Sequence, residues 1–201
     1  TESDLIFIGF NNSSGGLVPH GSIKELWGTN PLTVGIPSNN LPVILDMSSS
    51  QIPYGKVVLA KVAGEKIPEG TAIDKDGNLT TDPVAVMNGG GLLPFDGYRG
   101  SGIAFIVELL GGALTKSRVG TAIKGGWGSF FILIDPSIIR DLKEFKDDVE
   151  TAIKELKALP KAEGVEEILY PGEKTQKLRQ SQLDSGFFEL SDALFEQLKN
   201  L

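Results

Sequence analysis

Short apolar runs alternate along the first half of the chain with longer segments of helical spacing. The runs at 4–10, 31–37 and 42–47 are bounded by Gly, Pro, Asn or Ser residues, which is typical of strands. Ser-Asn-Asn joins the last two, as in a hairpin or a longer turn. From 48 to 64 the apolar spacing becomes helical, with a serine among 48–50 as the predicted N-cap and Gly64 as the stop.

The middle of the chain contains a turn-rich stretch followed by two strongly apolar segments. Residues 64–99 are rich in Gly, Pro, Asp and Asn, which predicts mostly turns. Residues 102–114 are apolar on every side except at Glu108, which predicts a buried helix. The continuous apolar run at 129–136 predicts a strand covered on both faces.

The last third is more highly charged and predicts helices. Apolar residues recur every three or four positions from 137 to 159, which predicts an amphipathic helix that ends at Pro160. Residues 164–174 predict a short strand and a turn, and residues 183–201 a last helix capped by Ser191. The predicted inward positions are Ile138, Leu142, Phe145, Val149, Ala152, Leu156, Leu194, Phe195 and Leu198. Because strands and helices alternate, the predicted fold class is α/β, in a single segment over 1–201.

Composition excludes several classes of function. With 19 basic and 26 acidic residues the net charge is −7, so the chain is a poor match for nucleic acid or a membrane surface. The absence of cysteine excludes disulfides, thiolate metal sites and cysteine nucleophiles. No run reaches the roughly 18 apolar residues of a membrane span, so we expect a cytoplasmic protein. The chain opens on Thr1 directly before a strand, from which we expect either that residues were removed from the amino terminus or that the chain is a segment of a longer protein.

Metal and nucleophile chemistry find little support in the sequence. The only histidine, His20, lies between a proline and a glycine and is expected to be structural or exposed, so we assign no catalytic residue. The stretch at 74–78, Asp-Lys-Asp-Gly-Asn, lacks the complete calcium-loop pattern and predicts an Asp-Gly turn. No metal site is predicted.

A glycine-rich loop precedes the apolar helix. Gly97, Gly100 and Gly102 together with Arg99 are compatible with an anion site at a helix N-terminus. They are also compatible with a tight, close-packed start of a buried helix. The spacing is neither the dinucleotide fingerprint nor a P-loop, so the residues alone leave both interpretations open.

Five phrases in a fixed order carry a family resemblance. They are WGTNPLTVGIPS, VILDMSSSQIPYGKV, GEKIPEGTAIDKDGNLTTDP, LLPFDGYRGSGIAFIVELLGGAL and GVEEILYPGEK. Together they resemble the malate/L-lactate dehydrogenase family that includes ureidoglycolate, sulfolactate and diketogulonate dehydrogenases. The resemblance implies a three-layer α/β fold with a mixed sheet that is not a Rossmann fold. It also implies NAD or NADP as cofactor, a small 2-hydroxy or 2-keto acid as substrate, and a homodimer.

The resemblance also assigns site residues. It implies that Asp46 accepts a hydrogen bond from a ribose hydroxyl, and that Tyr98 and Arg99 contact the dinucleotide, which favours the anion-site interpretation of the glycine-rich loop. The implied substrate contacts are Asn12 and Thr29, the latter toward a carboxylate. The implied cofactor contacts are Asn11, Ile44, Leu45, Asp46, Met47, Ser48, Tyr98, Arg99, Gly172, Glu173 and Lys174.

The chain departs from the family pattern at its amino-terminal side. The family's proton-exchanging histidine and its carboxylate-binding arginines lie in an amino-terminal third that precedes the phrases found in this sequence. His20 occupies a different position and does not take that role. Three interpretations follow: the cofactor-binding part of a dehydrogenase that is incomplete and inactive alone, a non-catalytic dinucleotide-binding module, or a structural module.

Overall fold

The computed structural model describes residues 3–121, 126–190 and 192–199, which form an α/β chain. Its strands are β1 (Ile6–Asn11), β2 (Leu32–Ile36), β3 (Val43–Met47), β4 (Ala72–Ile73), β5 (Gly91–Leu92) and β6 (Ser129–Ile134). Its α-helices are α1 (Tyr54–Ala63), α2 (Pro83–Met87), α3 (Tyr98–Val107), α4 (Leu142–Ala158), α5 (Glu173–Ser185) and α6 (Asp192–Lys199). Glu108–Ala113 continues α3 as a π-helical turn, and Pro136–Ile138 is a short 3-10 helix. The α/β class predicted from the sequence is confirmed.

The strands form two sheets. The larger sheet has the order β3-β2-β1-β6, so the two short strands predicted on either side of Ser-Asn-Asn are hydrogen-bonded neighbours. The smaller sheet pairs β4 with β5 in an antiparallel register that sets Ala72 opposite Leu92. By contrast, residues 164–170 form no strand.

The chain divides into two compact units. The first unit consists of Thr1–Ile8, Thr33–Asp46 and Phe131–Leu190, and the second of Gly9–Leu32, Met47–Phe130 and Ser191–Leu201. Within the described ranges, no helix is long and apolar enough to cross a lipid bilayer.

The second unit contains two clusters of buried apolar side chains. One cluster consists of Ile52, Val57, Ala60, Ile67, Ala72, Val86 and Leu92. The other joins Leu17, Trp27 and Ala104. Burial of one valine or leucine side chain stabilises a fold by about 1.5–3 kcal/mol, so the first cluster is a substantial part of what holds α1, α2 and the small sheet together.

Helix α1 begins later than predicted. It starts after Pro53 rather than at a serine cap, because Ser49 and Ser50 are buried and use their hydroxyls elsewhere. The Ser49 hydroxyl donates to the Asn30 carbonyl at 2.9 Å, and the Ser50 hydroxyl donates to the Ile52 carbonyl at 2.7 Å. The predicted stop is confirmed: Gly64 has a φ of 69° and caps the helix in the left-handed conformation that glycine adopts readily.

The prediction of wholly buried elements at 102–114 and 129–136 is wrong. On α3 and its π-helical extension one face is buried, at positions that include Ala104, Val107 and Glu108, whereas Phe105 is 48% exposed. On β6, Leu133 is 62% exposed. An apolar pattern reports how hydrophobic a segment is but not what covers it, and the described residues cover these two segments on one side only.

The amphipathic helix of the first unit is confirmed with shorter limits. The Asp141 carboxylate caps α4 by accepting from the Glu144 N–H at 3.0 Å, and the helix ends at Ala158, before Pro160. Ile138 is 83% exposed, contrary to prediction, because it lies in the preceding 3-10 turn. Ala152 is exposed, and the positions that turn inward are half-buried: Leu142, Phe145, Val149, Ile153 and Leu156.

The carboxyl-terminal segment forms two helices where one was predicted. Helix α5 ends at Gly186, which has a φ of 74°, and α6 follows after a break. The predicted cap Ser191 lies outside the described residues. Leu194 is half-buried as expected, whereas Phe195 and Leu198 are about half exposed.

The glycines at the start of α3 provide a matched test of packing. A Cβ on Gly100 would lie 2.5 Å from the Ser49 carbonyl oxygen and 2.6 Å from that of Phe95, whereas a Cβ on Gly102 would meet nothing within 4 Å. Gly100→Ala is therefore expected to lower the free energy of unfolding by about 1–3 kcal/mol. Gly102→Ala is expected to raise it by up to about 1 kcal/mol, because alanine is the better helix former. Urea unfolding of both variants checks this, and equal effects would contradict it.

Candidate functional site

In the first unit, strand β3 and the Pro-Gly turn before α5 lie together. The Ile44 N–H donates to the Pro171 carbonyl at 3.0 Å. Gly172 has a φ of 87°, and a Cβ there would lie 2.8 Å from the Ile44 carbonyl oxygen, so only glycine fits. Two stretches that are remote in sequence, and that the resemblance assigns to one ligand, are thus brought into contact.

Asp46 follows on the same strand and is exposed. One of its carboxylate oxygens accepts from the Thr33 hydroxyl at 2.9 Å, which fixes the side chain at the surface. A carboxylate has several acceptor positions, so Asp46 retains capacity to accept from a ligand hydroxyl. Leu45 is half-buried and Lys174 is exposed.

An open apolar cleft lies beside Asp46 within the first unit. Its volume is about 370 Å³, which is in the range of small-molecule sites. It is lined by Ser3, Leu5, Phe7, Thr33, Gly35, Ile44 and Leu133. Because Thr33 and Ile44 belong both to the cleft and to the contacts above, the cleft is continuous with the candidate site.

Glu173 serves the fold with its side chain rather than an incoming ligand. It is 5% exposed, and its carboxylate contacts the Lys157 ammonium at 2.6 Å and the Lys177 ammonium at 2.9 Å. It also accepts from the Tyr170 N–H at 3.3 Å. Burial acts to raise its pKa, but the hydrogen bonds from the two lysines outweigh burial, and the pKa lies below its usual value. The Glu173 carboxylate is thus used within the fold, and a cofactor contact at Glu173 remains a prediction.

Glu167 completes this ionic cluster. It contacts Lys157 and Lys177, each at 2.8 Å, and the hydrogen bonds from these two lysines lower its pKa to about 2. The cluster ties α4, the segment before the Pro-Gly turn and α5 together, and so fixes the turn that contacts Ile44.

In the second unit, the glycine-rich loop presents Tyr98 and Arg99 to solvent. Tyr98 is 65% exposed, and the Arg99 guanidinium lies 5.9 Å from its ring centre and 2.8 Å from the Asp96 carboxylate. The N–H groups of residues 99, 100 and 101 donate to the carbonyls of Asp96, Phe95 and Gly97. These donors are in use within the chain, and Gly100 packs against Ser49, so the expectation of a backbone phosphate cradle is not supported. Any anion contact at this loop falls to the side chains.

Strand β1 ends at Asn11, and Asn12 follows it. The half-buried Asn11 accepts from the Ser129 hydroxyl at 2.6 Å, whereas Asn12 is 1% exposed. The Asn12 amide donates to Glu108 and to the Arg118 carbonyl, and its oxygen accepts from the Gly128 N–H. The hydrogen-bonding groups of the Asn12 side chain are thus used within the fold, and a substrate contact at Asn12 remains a prediction.

Thr29, Met47 and Ser48 are half-buried in the second unit. The Thr29 carbonyl accepts from the Ser49 N–H at 2.8 Å, which holds the turn before β2 against the segment after β3. The Ser48 hydroxyl accepts from the Ser50 hydroxyl at 3.0 Å. The stretch that follows β3 and the turn at Thr29 are therefore brought together, with Ser49 as the link.

Glu108 is a buried carboxylate to which the sequence assigned no role. It is 2% exposed, and its carboxylate accepts from the Asn12 amide at 3.2 Å, the Asn30 amide at 2.8 Å and the Gly120 N–H at 2.6 Å. Its signal in the sequence was its position as the only charge in an otherwise apolar helix. A charge at such a position must be bonded if it is buried.

His20 lies on an exposed loop, as predicted. The backbone N–H of His20 donates to the Ser101 hydroxyl at 3.1 Å. The centre of its imidazole ring lies 6.5 Å from the centre of the Tyr98 ring. In the part of the chain that the structure describes, no cluster of three or more His, Asp or Glu side chains is arranged to hold a metal ion.

Comparison with known proteins gives one family. The family described as malate/L-lactate dehydrogenase matches residues 1–199. Malate/(S)-sulfolactate dehydrogenase of Methanothermus fervidus is 36% identical over 100% of this chain and 59% of its own length. (2R)-3-sulfolactate dehydrogenase (NADP(+)) of Chromohalobacter salexigens is 33% identical over 97% of this chain and 58% of its own length.

Solved structures agree with the sequence matches. Sulfolactate dehydrogenase from Methanocaldococcus jannaschii superposes with a TM-score of 0.84 at 36% identity, covering 99% of this chain and 59% of that one. Δ1-piperideine-2-carboxylate reductase from Pseudomonas syringae superposes with a TM-score of 0.81 at 30% identity, covering 99% of this chain and 60% of that one. The chain thus spans about three fifths of the length of the relatives it matches.

The ionic cluster around Glu167 predicts an acid-sensitive fold. The pKa of Glu167 is about 2 in the folded state, against a usual 4.5. The stabilising contribution of Glu167 is therefore present above pH 4.5 and is lost as the pH falls toward 2. Glu167→Gln is expected to lower stability at neutral pH and to flatten the loss of stability between pH 4.5 and 2. Denaturant unfolding across that range checks this. Glu163→Gln, an exposed glutamate of the same segment, is the control and should unfold like the parent chain.

Proposed function

The chain belongs to the malate/L-lactate dehydrogenase family, and on that premise we propose that it carries most of a nicotinamide-cofactor site. The enzyme to which this site belongs interconverts small 2-hydroxy and 2-keto acids. The observation that carries the proposal is the contact between β3 and the Pro-Gly turn, where Gly172 leaves no room for a side chain against Ile44.

The residues present fit a dinucleotide. In the proposal, Ile44, Leu45 and Asp46 hold the adenosine half beside the apolar cleft, with the exposed Asp46 carboxylate accepting from a ribose hydroxyl. The Gly172–Lys174 backbone borders the same half. Tyr98 and Arg99 meet the phosphates with a phenolic hydroxyl and a planar set of N–H donors. When bound, NAD or NADP supplies the hydride acceptor or donor.

The nicotinamide and substrate end is proposed in the second unit. Asn11, Met47 and Ser48 border the nicotinamide, and Thr29 donates to the substrate carboxylate. These residues bind and orient. Holding the ligands in contact geometry is a large part of what such a site contributes to the reaction rate.

A hydroxyl-bearing substrate also requires a group that moves the hydroxyl proton. His20 is a weak candidate because it lies on an exposed loop beside Tyr98. We propose that the proton-exchanging group comes from polypeptide that the relatives contain and this chain does not span, or from a second chain. A homodimer forms part of the same proposal, as does a requirement for that additional polypeptide before turnover occurs.

Arg99 is the most direct test of cofactor binding. Arg99→Ala is expected to weaken binding of NADH or NADPH by about 1–3 kcal/mol, because a charge-assisted contact to phosphate is lost. Calorimetric titration of the full chain measures this. Arg140→Ala is the matched control, since Arg140 is also a surface arginine paired to a carboxylate, here Asp148 at 2.7 Å. Equal affinities for the Arg99→Ala chain and the parent would refute the phosphate contact.

A turnover assay distinguishes the cofactor-binding part of an enzyme from a non-catalytic binding module. We expect the chain alone to bind a cofactor and to show no reduction of NAD or NADP with malate, lactate or sulfolactate, as followed at the absorbance of the reduced nicotinamide. Addition of the missing polypeptide, taken from a relative, is expected to produce turnover. Binding without turnover after that addition would favour a non-catalytic dinucleotide-binding module, and turnover by the chain alone would refute the proposed incompleteness.

A further inference from the structure

Glu108 is a buried carboxylate that the proposed function leaves without a role. Its Oε2 accepts from the amide nitrogens of Asn12 and Asn30, and its Oε1 accepts from the Gly120 N–H. A carboxylate removed from water is costly unless its oxygens are bonded, and here three N–H donors converge on it. The two side-chain donors come from the segment after β1 and from the turn before β2.

The carboxylate orients both amides together with one backbone carbonyl for each. Asn12 Nδ2 also donates to the Arg118 carbonyl at 2.8 Å, and Asn30 Nδ2 to the Ala104 carbonyl at 3.0 Å. Because each amide nitrogen points at Glu108, each amide oxygen points at a backbone N–H: Asn12 Oδ1 accepts from Gly128 at 2.9 Å and Asn30 Oδ1 from Ser13 at 3.0 Å. Only a group that accepts on both oxygens satisfies this arrangement. A glutamine at this position would face an N–H donor with its own NH₂ group in either orientation.

The π-helical turn is built around the same contact. Glu108 opens the turn, and Gly111 and Gly112 follow on it. A Cβ on Gly111 would lie 2.8 Å from the Asn12 nitrogen, and one on Gly112 would lie 3.0 Å from Asn12 Nδ2. The widened turn, the two glycines and the carboxylate therefore accommodate Asn12 together, and turns of this kind are frequent at functional sites.

We infer that Glu108 is a positioning residue for the nicotinamide end of the site. It contacts no ligand, but it holds the Asn11–Ser13 and Thr29–Asn30 segments in the conformation that the ligand meets. The inference rests on the proposed function, because Asn11 and Thr29 are its ligand contacts, and each is one residue from an amide that Glu108 orients. A segment that is ordered in advance does not have to be ordered during binding, so binding is tighter.

The experiment compares Glu108→Gln with the parent chain and with Glu155→Gln, an exposed glutamate of α4. Each protein is titrated with NADH and with NADPH in a calorimeter, at a temperature where circular dichroism shows all three folded. Glu108→Gln is expected to raise Kd roughly tenfold. It is also expected to make the entropy of binding less favourable, since the segments are then ordered during binding. Amide hydrogen exchange is expected to quicken at Ser13, Gly120 and Gly128.

The outcomes are distinct. Faster exchange with unchanged Kd and entropy would mean that Glu108 serves the fold alone and would overturn the inference. Unchanged exchange at the three amides would overturn it as well. If the parent chain binds neither cofactor, the proposed function fails and the positioning role fails with it, whereas equal binding by parent and Glu108→Gln refutes the positioning role alone.

A second variant covers the case in which Glu108→Gln does not fold. Asn12→Ser removes one donor from the carboxylate and leaves those of Asn30 and Gly120 in place. It is expected to raise Kd and to quicken exchange at Gly128, where the Asn12 acceptor is lost. Unchanged affinity of a folded Asn12→Ser protein would overturn the inference.

Discussion

The second unit is organised around one buried negative charge. Among the residues that the structure describes, the donors to the Glu108 carboxylate are neutral N–H groups and none is cationic. The need to bond this buried carboxylate determines the residues around it. Two asparagine side chains and the Gly120 backbone N–H donate to it, and glycines at 111 and 112 leave room for Asn12. Neutral donors bond a carboxylate without forming an ion pair, so salt screens the arrangement little and geometry determines its strength.

The first unit satisfies its buried carboxylate in a different way. Glu173 is paired with Lys157 and Lys177, and the exposed Glu167 shares both cations. This cluster responds to pH and salt, because its strength comes from charges that partly face solvent. In both units the buried carboxylate lies beside backbone that the proposed site uses, the Pro-Gly turn in one and the segments at Asn11 and Thr29 in the other. The buried carboxylate of each unit thus orders backbone that belongs to the proposed site.

The sequence predicted the elements better than their surroundings. The strands at β1, β2 and β3 and the helix α4 follow from local periodicity, and Gly64 from the conformational freedom of glycine. The predicted burial of Phe105 and Leu133 was wrong, because an apolar sequence does not show which other part of the protein covers it. The predicted serine N-cap of α1 was wrong, because the Ser49 hydroxyl donates to the distant Asn30 carbonyl and the Ser50 hydroxyl to the Ile52 carbonyl. The site residues came from an ordered family resemblance, and the role of Asn12 depended on partners that are remote in sequence.

The glycine-rich loop shows why a motif's spacing matters more than its composition. In a phosphate-binding helix start, unpaired backbone N–H groups receive the anion. Here the N–H groups of residues 99–101 already have carbonyl partners, and the close approach that Gly100 permits is to Ser49 rather than to a ligand. The proposed anion contact at this loop therefore rests on the exposed Arg99 guanidinium and the Tyr98 hydroxyl. A contact of that kind depends on the identity of two exposed side chains, whereas the packing of α3 depends on the absence of a side chain at Gly100.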